Sequence, residues 1–230
     1  MSAEPAFLLH RRPYRETSAL VDLLTLHHGR IRAVAQGGQR PTSKSRQRLQ
    51  PFTPLHVTWR GERELKRLHL MESRGATALL AGEGLLCGFY ANEIATRLLP
   101  LELPAGNVFA FYTALLEALP MPAARALALR RYEWSLLEVL DATPRFCTPD
   151  GGALDPQAQY RFDAASRAFI PAAKGLDGRT LRYIDHHDWQ EPTLSNALKA
   201  VMRAALAPHL GTTALRSREL MRDLAQRRQR

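Results

Sequence analysis

The sequence predicts an α+β protein: a small five-stranded barrel followed by a mainly α-helical domain. Three observations predict this. Up to about residue 80, apolar residues alternate with period two in short runs separated by turn residues. Beyond that point they recur at i+4, the helical spacing. The positive charge is concentrated in the same first third, where residues 1–80 hold 14 basic and 6 acidic side chains. The expected domains are therefore 1–80 and 81–230.

Taken in order, Phe7 and Leu9 alternate in the first strand. Leu20, Asp22, Leu24 and Leu26 share one face of the second, with Ala19, Val21 and Leu23 on the other. His28-Gly29 makes a turn. Ile31, Ala33 and Ala35 then alternate with Arg30, Arg32 and Val34, and later Leu55, Val57 and Trp59 alternate with His56, Thr58 and Arg60. Gly61 turns the chain into a last strand from about Glu64 to Glu72. Five short strands suit a closed barrel, which removes exposed sheet edges, and the OB-fold is the natural candidate.

In the second part, Leu86, Tyr90, Ile94 and Leu98 mark one helix. Asn107 is placed to cap another, with Val108, Phe111, Leu115 and Leu119 on one face. Pro120 and Pro122 end it, and Pro122 opens a third that turns Leu129, Tyr132, Leu136 and Leu140 inward. Residues 142–188 lose the period and read as an irregular insertion with a short hairpin, Tyr160 to Phe162 against Ala168 to Ile170. Helix returns from about Leu194 to Leu206, with Gly211 as its stop signal. A last basic amphipathic helix starts near Ser217, carrying Leu220 and Leu224 on one side and fraying at Arg227, Arg228 and Arg230.

With 230 residues, 45% of them hydrophobic, the chain can bury a core without disulfides or metal. Lys and Arg number 32 against 22 Asp and Glu, a formal charge of +10, which calls for an anionic partner: nucleic acid, an acidic protein tail or an anionic membrane. Cys87 and Cys147 are too few for a disulfide framework or a four-cysteine zinc ribbon. The longest apolar stretch, residues 84–103, contains Asn92, Glu93 and Arg97 and predicts no membrane span. The apolar run before Arg11 is too short for a signal peptide. A reducing cytoplasm is expected.

Several ordered segments carry a family resemblance. The run Phe7-Leu8-Leu9-His10-Arg11-Arg12-Pro13-Tyr14-Arg15-Glu16-Thr17-Ser18 resembles the opening of the bacterial recombination mediator RecO. So do His28-Gly29-Arg30, Gly37-Gly38 before a basic loop, and Gln50-Pro51-Phe52-Thr53-Pro54. Further on, Tyr90-Ala91-Asn92-Glu93, Leu129-Arg130-Arg131-Tyr132-Glu133 and Ser217-Arg218-Glu219-Leu220 resemble three of that family's helices. The resemblance implies an N-terminal OB-fold and a C-terminal helical domain. It implies binding of single- and double-stranded DNA, annealing of complementary strands and loading of recombinase onto strands coated by single-strand-binding protein. RecR and the acidic C-terminal tail of single-strand-binding protein are the implied partners. No membrane partner and no cofactor are expected, the free chain is expected to be a monomer, and its expected place is the cytoplasm, on the nucleoid. Some members hold zinc with two CxxC pairs in the insertion. Here that degenerate position keeps only Cys147, so no metal site is expected.

The candidate DNA ligands begin with Arg40, Lys44, Arg46 and Arg48 in a loop read as flexible over residues 39–50, able to follow a phosphate backbone without reading bases. Arg12, Arg15, Arg30, Arg32, Lys66 and Arg67 are further candidates, Arg30 and Arg32 sharing a strand face. Tyr14 and Trp59 could stack on bases, but Trp59 alternates with Leu55 and Val57 and belongs to the core. For an acidic tail, Arg130 or Arg131 would supply a cation, and Tyr132 and Leu136 a pocket wall if they lie near the helix surface.

The sequence leaves two other classes open. Asp185-His186-His187 resembles a metal-dependent phosphoesterase signature, but no upstream carboxylate motif accompanies it, and a polar turn is the expected structure. An RNA-binding OB-fold protein would show itself by preference for the 2′-hydroxyl. No P-loop, nucleophile elbow or dinucleotide motif occurs, so no catalytic residue is assigned and a binding protein is expected.

Overall fold

The computed structural model describes residues 3–39 and 42–228. Five strands, β1 (Glu4–Tyr14), β2 (Ser18–Thr25), β3 (Gly29–Ala35), β4 (Pro54–Arg60) and β5 (Leu65–Ser73), close into a barrel in the order β1-β2-β3-β5-β4. All neighbours are antiparallel except β3 and β5, which run parallel with Val34 opposite Arg67. The alternation predicted for the second, third and fourth strands fills the barrel with Val21, Leu23, Ile31, Ala33, Leu55 and Val57, whereas on β1 it is Ala6 and Leu8, not the predicted Phe7 and Leu9, that join the buried cluster.

One helix was not expected inside the barrel sequence. The basic segment after β3 folds into α1 (Lys44–Arg48). Ser43 caps it by accepting from Arg46 N at 3.1 Å, and the same hydroxyl donates to the Gly37 carbonyl. Leu49, which follows directly, is buried in the barrel core. Five residues are too short for a periodic signal, so the segment reads as loop from sequence.

Three helices share a compact unit with the barrel. The chain divides so that this unit runs to Arg125 and resumes at Ala214, while Ala126–Thr213 form the other. In the first unit α2 (Gly82–Leu98) packs on β1, α3 (Gly106–Ala118) on β2, and α7 (Arg216–Arg228) on α2. Phe7, Leu20 and Leu24 point away from the barrel interior yet are buried. The Phe7 ring meets Phe109 at 5.3 Å and Tyr112 at 5.1 Å. β1 and β2 are thus covered on both faces, which accounts for the nearly unbroken apolar run Ala19–Leu24.

The α3 face holds, with Val108, Leu115 and Leu119 buried as predicted, but the cap and one inward residue differ. The helix starts at Gly106 with Ala105 before it and no side-chain cap, so Asn107 lies inside the first turn. Tyr112, not Phe111, faces inward: Phe111 is 36% exposed and Tyr112 is fully buried. A buried bond from the Tyr112 hydroxyl to Asn92 Oδ1, 2.6 Å, selects that face. Asn92 in turn donates to the Leu8 carbonyl on β1 at 3.3 Å.

The second unit contains α4 (Pro122–Val139) from Ala126 onward, a three-stranded sheet, α5 (Gly178–Asp185) and α6 (Ser195–Leu206). The predicted hairpin is present as β6 (Gln159–Asp163) and β7 (Ala168–Pro171), with Phe162 opposite Phe169, and β8 (Leu176–Asp177) pairs on the other side of β6. α5 was not expected. Asp177 caps it by accepting from Thr180 N at 2.8 Å, and its apolar signal is confined to Leu181 and Ile184.

Candidate nucleic-acid interface

The predicted basic residues separate by what their cations already hold. Arg40 lies outside the described residues. Lys44 is exposed. Arg46 and Arg48 are half-buried and turn a guanidinium NH inward, Arg46 Nη1 to the Gln39 carbonyl at 2.9 Å and Arg48 Nη1 to the Met71 carbonyl at 2.7 Å. The helix therefore spends part of its donor capacity on tying itself to the barrel.

On the strands the separation is sharper. Lys66 is buried and its ammonium donates to Glu102 at 2.8 Å, an ion pair that fixes the chain after α2 and leaves little for a phosphate. Arg30 shares a strand face with Arg32 as expected, but its guanidinium donates to the Thr96 carbonyl, and burial, its largest influence, lowers its basicity. Arg32 is clamped between Asp22 (3.1 Å) and Glu64 (3.6 Å). Asp22 is the cross-strand partner of Arg32, whereas the corrections at Lys66 and Arg30 share another cause. Alternation tells which way a strand residue points, not what a later segment lays over it.

Arg12, Arg15 and Arg67 are exposed, and Arg15 stands 5.3 Å over the half-buried Tyr14 ring. Arg11, Arg60 and Arg63 join them, three exposed arginines with no ion pair among the described residues. The sequence reading passed over these three. The phase of Leu55, Val57 and Trp59 already aimed Arg60 outward. Trp59 packs partly buried against the barrel core, with His28 edge-on at 5.1 Å.

Which barrel face is open follows from the packing. α2 and α3 cover β1 and β2, the segment after α2 pairs at Arg30 on β3, and α1 packs on β5, so the open part of the wall is the remainder of β3, β5 and β4, where Arg60, Arg67 and His69 are exposed. The charge is divided in the same sense. Residues 126–213 contain 10 basic and 10 acidic side chains, which leaves 22 basic and 12 acidic for the barrel unit. The whole formal excess of +10 resides there.

In the second unit Arg130 is nearly buried and bonds Glu133 at 2.9 Å, while Arg131 is exposed. Tyr132 and Leu136 are fully buried and cannot wall a surface pocket. Their i and i+4 spacing was read correctly as inward, and the inward side is where a pocket wall cannot be. His187 stacks on Trp189 at 5.1 Å, and Asp185, His186 and His187 are all exposed. Asp185 is the last residue of α5 and His186 its C-cap, so the polar turn begins later than expected. No group of three His, Cys, Asp or Glu side chains among the described residues is placed to hold a metal ion.

The family model described as Recombination protein O N terminal matches residues 1–76, and the one described as Recombination protein O C terminal matches residues 80–219. The chain belongs to the RecO family. Proteins named DNA repair protein RecO resemble it along nearly the whole length. That of Pseudomonas aeruginosa is 41% identical over 223 residues, covering 95% of this chain and 94% of the relative. That of Methylococcus capsulatus is 39% identical over 222 residues, covering 95% and 92%. That of Stutzerimonas stutzeri is 40% identical over 225 residues, covering 96% and 94%. RecO membership carries a role in DNA repair and recombination, and the relatives' names carry no enzymatic activity.

Two of the RecO-like segments meet in space. Tyr90-Ala91-Asn92-Glu93 on α2 faces Ser217-Arg218 at the start of α7: Glu93 accepts from Ser217, and the Arg218 guanidinium lies 5.2 Å over the Tyr90 ring while bonding its hydroxyl at 3.1 Å. Gly29, in the second RecO-like segment, is positioned as closely. It sits at φ +62, and a Cβ there would lie 1.8 Å from the Leu103 carbonyl.

Proposed function

We propose that the chain is a DNA-binding recombination mediator: it holds single- and double-stranded DNA on the open wall of its barrel, anneals complementary strands, and helps load recombinase onto strands coated by single-strand-binding protein. The observation that carries this is the charge division. An excess of +10 on the unit with the barrel, against a balanced second unit, is the footprint of a polyanion-binding surface. RecO membership supplies the polyanion's identity. RecR and the acidic tail of single-strand-binding protein are the proposed protein partners, and the nucleoid the proposed place. For the tail, exposed Arg131 is the cation of choice on α4.

The test is annealing of complementary oligonucleotides, bare and coated with single-strand-binding protein, beside a salt titration of binding to single strands and duplex. Faster annealing of both substrates and a steep log–log salt dependence are expected. Tight binding to RNA that DNA does not compete away would favour the RNA-binding reading, through recognition of the 2′-hydroxyl.

A further inference from the structure

The open wall of the barrel contains a recess of about 290 Å³ lined by Gln36, Arg60, Arg67, Leu68 and His69. Two features set it apart from a surface that is merely basic. First, Arg60 and Arg67 are direct partners across the antiparallel β4–β5 pair. Like charges directly opposite in such a pair destabilise it. On the neighbouring β3, by contrast, Arg32 is matched by Asp22 and Glu64. Arg60 and Arg67 have no such match among the described residues.

Second, the register of the same two strands shifts by one residue. Thr58 pairs with Leu70 and Trp59 with Leu68, so His69 is the extra residue of a β-bulge. A bulge re-aims a side chain at a local cost in ladder bonding, and here it gives His69 to the recess. Gln36, in the turn directly after β3 and two residues beyond the Val34–Arg67 pair, closes the third side. β4, β5 and the turn after β3 thus deliver two unpaired guanidiniums, an amide and an imidazole to one hollow, with Leu68 also in its lining.

We propose that this recess is a phosphate clamp for a DNA strand: Arg60 and Arg67 each take a backbone phosphate, and Gln36 and His69 donate to the phosphate or sugar oxygens beside them. The clamp rests on the reading that the barrel binds DNA. A bound phosphodiester supplies the negative charge whose absence leaves the two arginines repelling one another. Because the contacts are to the backbone, the clamp positions a strand without selecting its sequence.

The test uses the whole chain and a fluorescently labelled single-stranded oligonucleotide, with anisotropy followed over a range of salt. Arg60→Gln and Arg67→Gln should each lower the log–log salt slope by about 0.7, and the double variant by about 1.4, with a loss of affinity of roughly 10- to 30-fold at 0.1 M salt. The thermal midpoint of the unliganded double variant should hold or rise, since a like-charge pair has been removed; a structural role for the arginines would lower it. Lys174→Gln, an exposed cation on the other unit, should leave the slope unchanged. If the native chain binds DNA and the double variant keeps its slope and affinity, the clamp is wrong and the DNA-binding reading stands. If the native chain binds no DNA, both fall together. Should the double variant fail to fold, the two single variants decide by the same slopes.

Discussion

Glu93 holds the start of a helix that begins more than a hundred residues later. Its carboxylate accepts from Ser217 Oγ at 2.6 Å, from Ser217 N at 2.9 Å and from Arg216 N at 3.0 Å. Arg97 pairs with the same carboxylate at 2.8 Å and donates to the Ala214 carbonyl at 2.9 Å. A helix N-terminus offers unsatisfied NH groups and the positive end of its dipole. A side chain from α2 supplies here what a local capping residue usually does.

Glu93→Ala should therefore loosen α7 and lower stability by about 1–2 kcal/mol. Burial works to raise the Glu93 carboxyl, but the bonds from Ser217 and Arg216 and the charge of Arg97 outweigh it and hold the group below the usual carboxylate range. The sign follows. The contribution is complete above the ordinary glutamate value of 4.5 and is lost as pH falls through the lower folded value. Urea melts of both proteins should diverge at pH 7 and converge towards pH 3. Equal midpoints at pH 7 would remove Glu93 from the account.

Tyr112→Phe removes the donor to Asn92 Oδ1 and leaves that oxygen buried beside β1. A loss of about 1–3 kcal/mol is expected, read from chemical denaturation. Asn92→Leu in the Tyr112→Phe background should then cost less than the sum of the two single changes, because both polar partners have gone.

Gly29 and Gly82 form a matched pair for measurement. Both have positive φ, +62 and +53, but nothing lies within 4 Å of a Cβ at Gly82, whereas one at Gly29 would overlap the Leu103 carbonyl. Gly82→Ala should cost only the left-handed backbone penalty, about 1–2 kcal/mol. Gly29→Ala should cost about 2–5 kcal/mol, with the segment after α2 displaced from the β2–β3 turn. Thermal midpoints of the two variants test the difference.

Arg130 and Arg131 are adjacent and should behave oppositely. Arg130→Ala removes the guanidinium that pairs with the buried Glu133 carboxylate and should destabilise by about 3 kcal/mol. Arg131→Glu should leave the melting midpoint within a degree or two and weaken binding of an acidic tail peptide, measured by fluorescence anisotropy. If the peptide binds Arg131→Glu as it binds the native chain, the tail docks elsewhere.

Much of the barrel was legible because alternation is a direct record of a closed sheet with one buried side. Ile31, Ala33, Leu55 and Val57 sit where their phase placed them. What alternation does not record is a second covering layer. Leu20 and Leu24 look like a solvent face until α3 packs on them, and Lys66 looks like a phosphate ligand until Glu102 reaches it. The short helices α1 and α5 were missed because their caps, Ser43 and Asp177, are also common loop residues. The Arg60–Arg67 pairing was hidden for a further reason. It depends on a register with a bulge in it, and register is a property of two strands together.

The return of the chain to its first unit at Ala214 sets an order on synthesis. The surface of α2 that carries Tyr90 and Glu93 leaves the ribosome long before Ser217 and Arg218 are made. At bacterial elongation rates of roughly 5–20 residues per second, that surface waits about 6–25 seconds for its partner helix. Residues 126–213 form their own compact unit and can fold during the wait. The nascent barrel unit is meanwhile an open polycation with an uncovered apolar side, emerging from a machine built of RNA. Its last contact to form is the one that closes it.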